Sequence, residues 1–297
     1  MAERDPLKME KPDCETTARL CDPDRFFCAM LLPQTIRVAA FTLIALNCEL
    51  SKALVLPVSG TVTGPMAGLI RLQWWRDVVE SPEQGRQSRH EIAVALAGLL
   101  EGGIVRKAPL LTLIDAREAE LCRFPDWTAW RSAMLDGAGM MQRMVGELLG
   151  IADETILTAV TRTGAAFGTG ILVRYLPQVL LSGRMPLPEE VFANVGLSVH
   201  ADGEALLEGT RLETIVSLLR REGLAFLPDR QEIRQARLAM LPAILARRDL
   251  ARPPVATGAA RGVGDRLAVM AAGVMPTVLW NGPHAGSAHA RKGSRAP

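Results

Sequence analysis

Apolar residues recur every three or four positions through most of this chain, the spacing that places them on one face of an α-helix. Met66, Leu69, Ile70 and Trp74 trace such a face in a helix predicted over residues 65–80, opened by Pro65 and ended by Ser81-Pro82. Ile92, Leu96 and Leu99 mark the next, closed by Gly102-Gly103. Leu110, Leu113, Ile114 and Leu121 mark another, whose outer face shows Asp115, Arg117, Glu118 and Glu120 as a solvated row with local ion pairs. Two long helices follow: residues 126–149, stopped by Gly150, and residues 154–181, with Pro177 near the end and Gly183 as the stop. Helices over 204–225 and 229–247, and a weaker one over 261–272, complete that half. Upstream, Asp24 is placed to cap a short helix over 25–32, and Pro33 to open a helix that runs to about Leu56 and stops at Pro57. Residues 58–64 and 82–89 read as polar loops, and 282–297 as a disordered tail.

Neither a βαβ alternation nor a solenoid repeat interrupts this pattern, and the connections are short enough for a bundle. One all-α domain over residues 24–250 is the expectation, preceded by a flexible segment (1–23) and followed by a low-complexity, partly disordered tail (251–297).

Composition sharpens the picture. Hydrophobic residues make up 48% of the 297, yet aromatics are only 4%, so Leu, Ala, Val and Met must fill the core. Thirty-four Lys and Arg against 32 Asp and Glu leave a formal charge of +2, which excludes a protein built to neutralise nucleic-acid phosphates. The charge is uneven: His289, Arg291, Lys292 and Arg295 form a basic, acid-free end that would help hold the protein near anionic lipid. Five cysteines, at 14, 21, 28, 48 and 122, show no Cys-x-x-Cys and no histidine at zinc spacing, and read as reduced thiols. The N-terminus is too acidic and polar for a signal peptide. No stretch of about 18 residues is uninterruptedly apolar. A cytoplasmic protein, in peripheral contact with a membrane surface, fits these features.

Three segments are specific. The first is Asp24-Arg25-Phe26-Phe27 with Ala45-Leu46-Asn47-Cys48-Glu49-Leu50. The second is Ile70-Arg71-Leu72-Gln73-Trp74-Trp75-Arg76-Asp77, and the third runs from Gly170 through Arg174 to Gly183-Arg184-Met185-Pro186-Leu187-Pro188. In order and spacing they resemble the squalene/phytoene synthase family, across roughly residues 24–250. The resemblance implies an isoprenoid-synthase-type helical bundle around a central cavity. It also implies two Asp-x-x-x-Asp motifs on facing helices that hold Mg²⁺ while two prenyl diphosphates are joined head to head. Such motifs suit the task, since carboxylates one helical turn apart share a face and Mg²⁺ takes oxygen ligands.

At the corresponding positions this chain carries Ser51 or Lys52 and Val55 in the first motif, and Tyr175 and Val179 in the second. Glu49 is the only carboxylate between Gln34 and Leu56, and residues 171–181 hold none. Even lost outer-sphere partners cost about 10- to 100-fold in metal affinity or activity. Replacing the ligands themselves predicts a non-catalytic member, with no cofactor, and Mg²⁺ implied only if the chain is an active transferase. Asn47-Cys48-Glu49-Leu50 resembles a branch of the family with the same departure, one that includes a mitochondrial assembly factor of respiratory complex I. That likeness implies a complex I subunit or assembly intermediate as partner.

The residues expected to line the degenerate cavity, or to meet a partner there, are Asn47, Glu49, Ser51, Lys52, Gln73, Trp74, Arg174 and Tyr175. Plainer roles stand beside these. Trp74 and Trp75 read as rim and core of one helix. The glycines at 164, 168 and 170 read as close packing points, and His90 and His200, with no acid at useful spacing, as surface or capping residues. Two other functions stay open: an active head-to-head prenyl transferase, and an isoprenoid or lipid carrier.

Overall fold

The computed structural model describes residues 13–54, 65–255 and 259–274. Among these the chain is a bundle of helices without a strand, and its one β contact is an isolated bridge between Phe124 and Pro188. The first half comprises α1 (Cys14–Cys21), α2 (Pro23–Ala29), α3 (Gln34–Ser51) with a 3-10 turn (Lys52–Leu54), α4 (Pro65–Glu80), α5 (Pro82–Gln87), α6 (Glu91–Glu101) and α7 (Lys107–Ala119). Then come α8 (Trp127–Met134), a π turn (Leu135–Gly139), α9 (Met140–Leu148), α10 (Glu154–Arg174), α11 (Leu176–Leu181), α12 (Glu189–Asn194) and α13 (Gly203–Leu207). The chain closes on α14 (Arg211–Phe226), α15 (Arg230–Gln235), α16 (Pro242–Ala251) and α17 (Val263–Val274).

Aspartates start many of these helices. The side chains of Asp13, Asp22, Asp126, Asp153, Asp202 and Asp229 accept first-turn amide hydrogen bonds in α1, α2, α8, α10, α13 and α15. Each satisfies a donor that the helix leaves open, worth about 1 kcal/mol. Gly150 and Gly183, with φ of +79° and +81°, supply the left-handed stops after α9 and α11.

α10 is the axis of the fold. By length and composition it is apolar enough to cross a membrane, but 67% of its apolar window is buried. α9 and the π turn cover one side of it, and α14 and α16 another. Its glycines permit these approaches: a Cβ at Gly168 would lie 2.6 Å from that of Ala138, and one at Gly170 would lie 3.2 Å from the Cα of Ala246. A second apolar core is built from α3, α4, α6, α7 and α9, with Trp75, Leu43 and Leu96 fully enclosed.

Most predicted elements stand, and the differences have local causes. Residues 14–21, expected to be flexible, form α1, because Asp13 caps it and Thr17 and Ala18 are buried as it packs on α3. The cap of α2 is Asp22 and not Asp24, since Pro23 already occupies the first turn. The expected loop 82–89 coils into α5, where Gly85 lets the helix lie close to Val78 and Ala93. α12 was not anticipated at all. The helix over 126–149 contains the π turn, where the backbone of Gly139 meets Thr161 of α10. Gly209, at φ +58°, divides 204–225 into α13 and α14. Residues 229–247 divide as well, because Pro242 starts a new helix. The low-complexity region expected from 251 contains α17, docked on α16. The loop 58–64 and the tail 282–297 lie outside the described residues.

Candidate functional site

The eight candidate side chains do not converge on one hollow. Asn47 and Glu49 are two residues apart on α3 and therefore point to different sides of it.

Asn47 is buried and faces α7. Its Oδ1 accepts a 2.8 Å hydrogen bond from Nη2 of Arg117, which also pairs with Glu120. Glu120 in turn receives Nη2 of Arg184 at 3.1 Å. The chain Asn47–Arg117–Glu120–Arg184 thus ties α3, the end of α7 and the turn after α11 together. This corrects the solvated row expected on α7. Asp115 and Glu118 are indeed outside, both held by Arg76 at 2.7 and 3.0 Å, whereas Arg117 and Glu120 turn inward. Ser51 Oγ donates to the Asn47 carbonyl at 2.8 Å, so its hydroxyl is spent on its own helix.

Glu49 faces α6. It pairs with Lys52 one turn on, and His90 Nε2 lies 3.8 Å from its other oxygen. Contact with His90, and then with Lys52, holds the Glu49 carboxyl down at about 2 against the cost of burying it. The His90 ring sits 5.5 Å from Trp74 and 5.1 Å from Trp75. Trp75 is enclosed and Trp74 is 38% exposed, the expected core and rim. His90 does have an acid partner, contrary to the sequence reading, because α6 folds back beside α3 across some forty residues. A cavity of about 360 Å³ lies here, lined by Glu49, Lys52, Arg89 and His90 with Leu20 and Cys21 of α1. Gln73 takes no part: its Nε2 donates 2.7 Å to Asp77 on the exposed side of α4.

Arg174 and Tyr175 end α10. The Arg174 guanidinium is buried, with Nη1 3.5 Å from Asp249 Oδ1 and Nη2 donating to the Ala259 carbonyl at 3.2 Å. Asp249 is also held in two-pronged fashion by Arg261, at 2.8 and 2.5 Å. Arg261 Nε reaches Asp24 at 2.7 Å, and Asp265 takes Arg248 and Arg252, both at 2.9 Å. Burial pushes the Asp24 carboxyl up despite Arg261 beside it. Burial acts the same way on Asp265, but hydrogen bonds from Arg252 and Arg248 outweigh it and hold that carboxyl below the usual range. This network was missed from sequence. Its one visible signal is Asp249, an acid closing the apolar run of α16.

Beside the network lies a cavity of about 700 Å³ walled by Phe26, Phe27, Phe167, Ile171, Tyr175 and Leu245. Arg19 and Arg266 also line it, together with the paired Asp24 and Arg261. The five cysteines are free thiols, and burial pushes those of Cys28 and Cys48 far up, which makes them poor metal ligands.

A sequence profile described as squalene/phytoene synthase matches residues 18–267. The chain belongs to the squalene/phytoene synthase family. The match begins within α1 and ends within α17, so the family's unit extends beyond the 24–250 read from sequence. Two solved structures share the fold. Squalene synthase HpnC from Alicyclobacillus acidocaldarius has a TM-score of 0.63 at 16% identity, covering 80% of this chain and 90% of its own. A dehydrosqualene synthase crystallised with ligand has a TM-score of 0.66 at 12% identity, covering 86% and 92%. The isoprenoid-synthase-type bundle is therefore the fold of this chain.

Curated relatives carry another name. "NADH dehydrogenase (ubiquinone) complex I, assembly factor 6" of Bos taurus is 26% identical over 191 residues, 62% of this chain and 55% of that protein. The Homo sapiens protein matches to the same extent, and the Drosophila melanogaster homolog is 27% identical over 190 residues. The chain spans about half the length of these relatives.

The residues present do not fit the Mg²⁺ that squalene/phytoene synthases use. Hard cations need convergent carboxylates. Among the described residues no three His, Cys, Asp or Glu side chains are grouped to hold a metal ion. Tyr175 puts a phenol into the cavity wall where the family resemblance places an aspartate. The nearby acids Asp24, Asp249 and Asp265 are each engaged by arginine. Val55, the other first-motif position, lies outside the described residues and offers no oxygen ligand from its side chain.

Proposed function

We propose that this chain is a non-catalytic squalene/phytoene synthase family member that acts by binding, and that its client is a subunit or assembly intermediate of respiratory NADH:quinone oxidoreductase (complex I). One observation carries the reading: the positions of the second metal motif hold Tyr175 and Val179, while Asp24, Asp249 and Asp265, among the described residues, are each paired to an arginine. The relatives named for complex I assembly supply the client class. The working place that follows is the cytoplasmic side of the inner membrane, where such an intermediate would be met.

A carrier of isoprenoid or lipid is the second reading. The 700 Å³ cavity, with its three phenylalanines, favours it over a return to transferase chemistry.

Affinity capture separates the two readings. The full chain, tagged and expressed in its own cell, is recovered from gently solubilised membranes and compared with a tag-only control. Enrichment of complex I subunits, together with a fall in assembled complex I when the gene is removed, is the expected result. Normal complex I in the deletion strain, with no subunit enriched, contradicts the assembly role.

A further inference from the structure

α1 lies along α3, and the two chains run the same way. Cys14, at the start of α1, meets Thr42, and Cys21, at its end, meets Cys48. The contacts are seven residues apart on one helix and six on the other, the spacing of two helices side by side. Thr17 and Ala18, between the two contacts, are buried as α1 packs on α3. The second contact joins two sulfurs. Cys21 is exposed, Cys48 is buried, and the Cys48 thiol donates a hydrogen bond to Cys21.

A thiol open to solvent with a second thiol behind it is the arrangement of an oxidant-sensing cysteine and its resolving partner. Exposure lets an oxidant reach Cys21, burial shields Cys48, and the contact between them supplies the second sulfur. The joint can move as far as the chemistry needs. Cys21 ends α1, and Asp22 and Pro23 after it cap and open α2. A junction of two short helices can take up the shift of roughly 2 Å that separates sulfurs in contact from an S–S bond of about 2.05 Å. The place of Cys21 gives the bond a consequence. It lines both the cavity of about 700 Å³ beside Phe26 and Tyr175 and that of about 360 Å³ beside Glu49 and Lys52.

We propose that Cys21 and Cys48 are a peroxide-sensitive dithiol whose oxidation to a disulfide pins the end of α1 to α3, at the wall of both cavities. This goes beyond the assembly reading and does not depend on it. The Cys21 sulfur attacks hydrogen peroxide and the O–O bond breaks. The sulfur keeps one OH as a sulfenic acid, and the other oxygen leaves as water with the Cys21 proton. The Cys48 sulfur then attacks that of Cys21, and the S–O bond breaks as the S–S bond forms. Hydroxide departs with the Cys48 proton as a second water, so two thiols have passed two electrons to one peroxide. A buried thiol is a poor nucleophile by itself, and the contact offsets this because the attack is intramolecular.

The test is peptide mapping of the reduced full-length chain after hydrogen peroxide, with remaining thiols blocked by N-ethylmaleimide. Trypsin cuts after Arg19, Arg25, Arg37 and Lys52, which puts Cys21, Cys28 and Cys48 on three different peptides. The expected product joins residues 20–25 to 38–52, exceeds any other link about tenfold or more, and disappears with dithiothreitol. In concentrated urea the preference should pass to cysteines seven residues apart, Cys14 with Cys21 and Cys21 with Cys28, because shorter loops close more readily. The oxidised chain should melt about 5 °C above the reduced one. Cys48→Ala should leave Cys21 as a sulfenic acid that dimedone captures, and Cys21→Ser should leave Cys48 unoxidised. The map of the parent chain decides the pairing whether or not either variant folds. Cys21 left untouched by peroxide overturns the proposal, as does its passage to sulfinic acid with no link to Cys48. A dominant link to another cysteine or to a second copy also overturns it, and an oxidised chain that melts no higher removes the pinning.

Discussion

Arg174 stands 3.5 Å from Asp249, and both side chains are buried at the junction of α10 and α16. The arginine that the squalene/phytoene synthase family places just before its second metal motif is thus spent inside the protein. Asp249 binds Arg261 as well, so one carboxylate answers two guanidiniums.

Removing that carboxylate leaves buried positive charge unanswered. Asp249→Asn is therefore expected to lower stability by about 3–5 kcal/mol. Asp115→Asn, at an ion pair whose acid is 61% exposed, should cost less than about 1 kcal/mol. Urea denaturation of both variants checks the contrast, and equal losses would remove the argument that the network is structural.

Close helix packing gives a second contrast. A Cβ at Gly164 would lie 2.6 Å from that of Gln142 and 2.8 Å from the Cα of Gly139, so Gly164→Ala forces α10 away from α9 and the π turn. A loss of about 1–3 kcal/mol is expected. Gly98, inside α6, has open space around it, and Gly98→Ala should instead gain about 0.5–1 kcal/mol. Melting curves of the two variants should move in opposite directions.

Glu49 sets an acid dependence. Its folded-state carboxyl is held at about 2, below the ordinary 4.5, so the group binds protons more readily in the unfolded chain. Its contribution is complete above about pH 4.5 and is lost as the pH falls toward 2. Glu49→Gln should flatten the stability profile over that window and leave the slope above pH 5 unchanged. An unaltered acid limb would mean that the contact with His90 and Lys52 does not persist in solution.

The helices were legible because their causes are local. Prolines at 65 and 82, glycines at 150 and 183 and the three-four apolar spacing mark starts, stops and faces without help from the rest of the chain. α1 and α5 were not legible, since each is short and polar and forms by resting on α3 or α6. For the site, the absence of aspartates at 51, 52, 175 and 179 could be read directly, because a missing charge is visible in sequence alone. What fills their place could not be. Asn47 meets Arg117 across 70 residues, and Arg261 meets Asp24 across more than 200, separations at which spacing carries no information. Grouping Asn47 with Glu49 was natural for neighbours on one helix, yet two positions on a helix point apart.

On the proposed function, internally paired charge stands in this bundle where metal-assisted ionisation of diphosphate would need free carboxylates. Purified full-length chain incubated with farnesyl diphosphate or geranylgeranyl diphosphate, Mg²⁺ and NADPH tests it most directly, with a squalene/phytoene family synthase as the positive control. Product formation at the level of a no-protein blank is the predicted result. Magnesium-dependent release of pyrophosphate, with a head-to-head prenyl product above that blank, would contradict it.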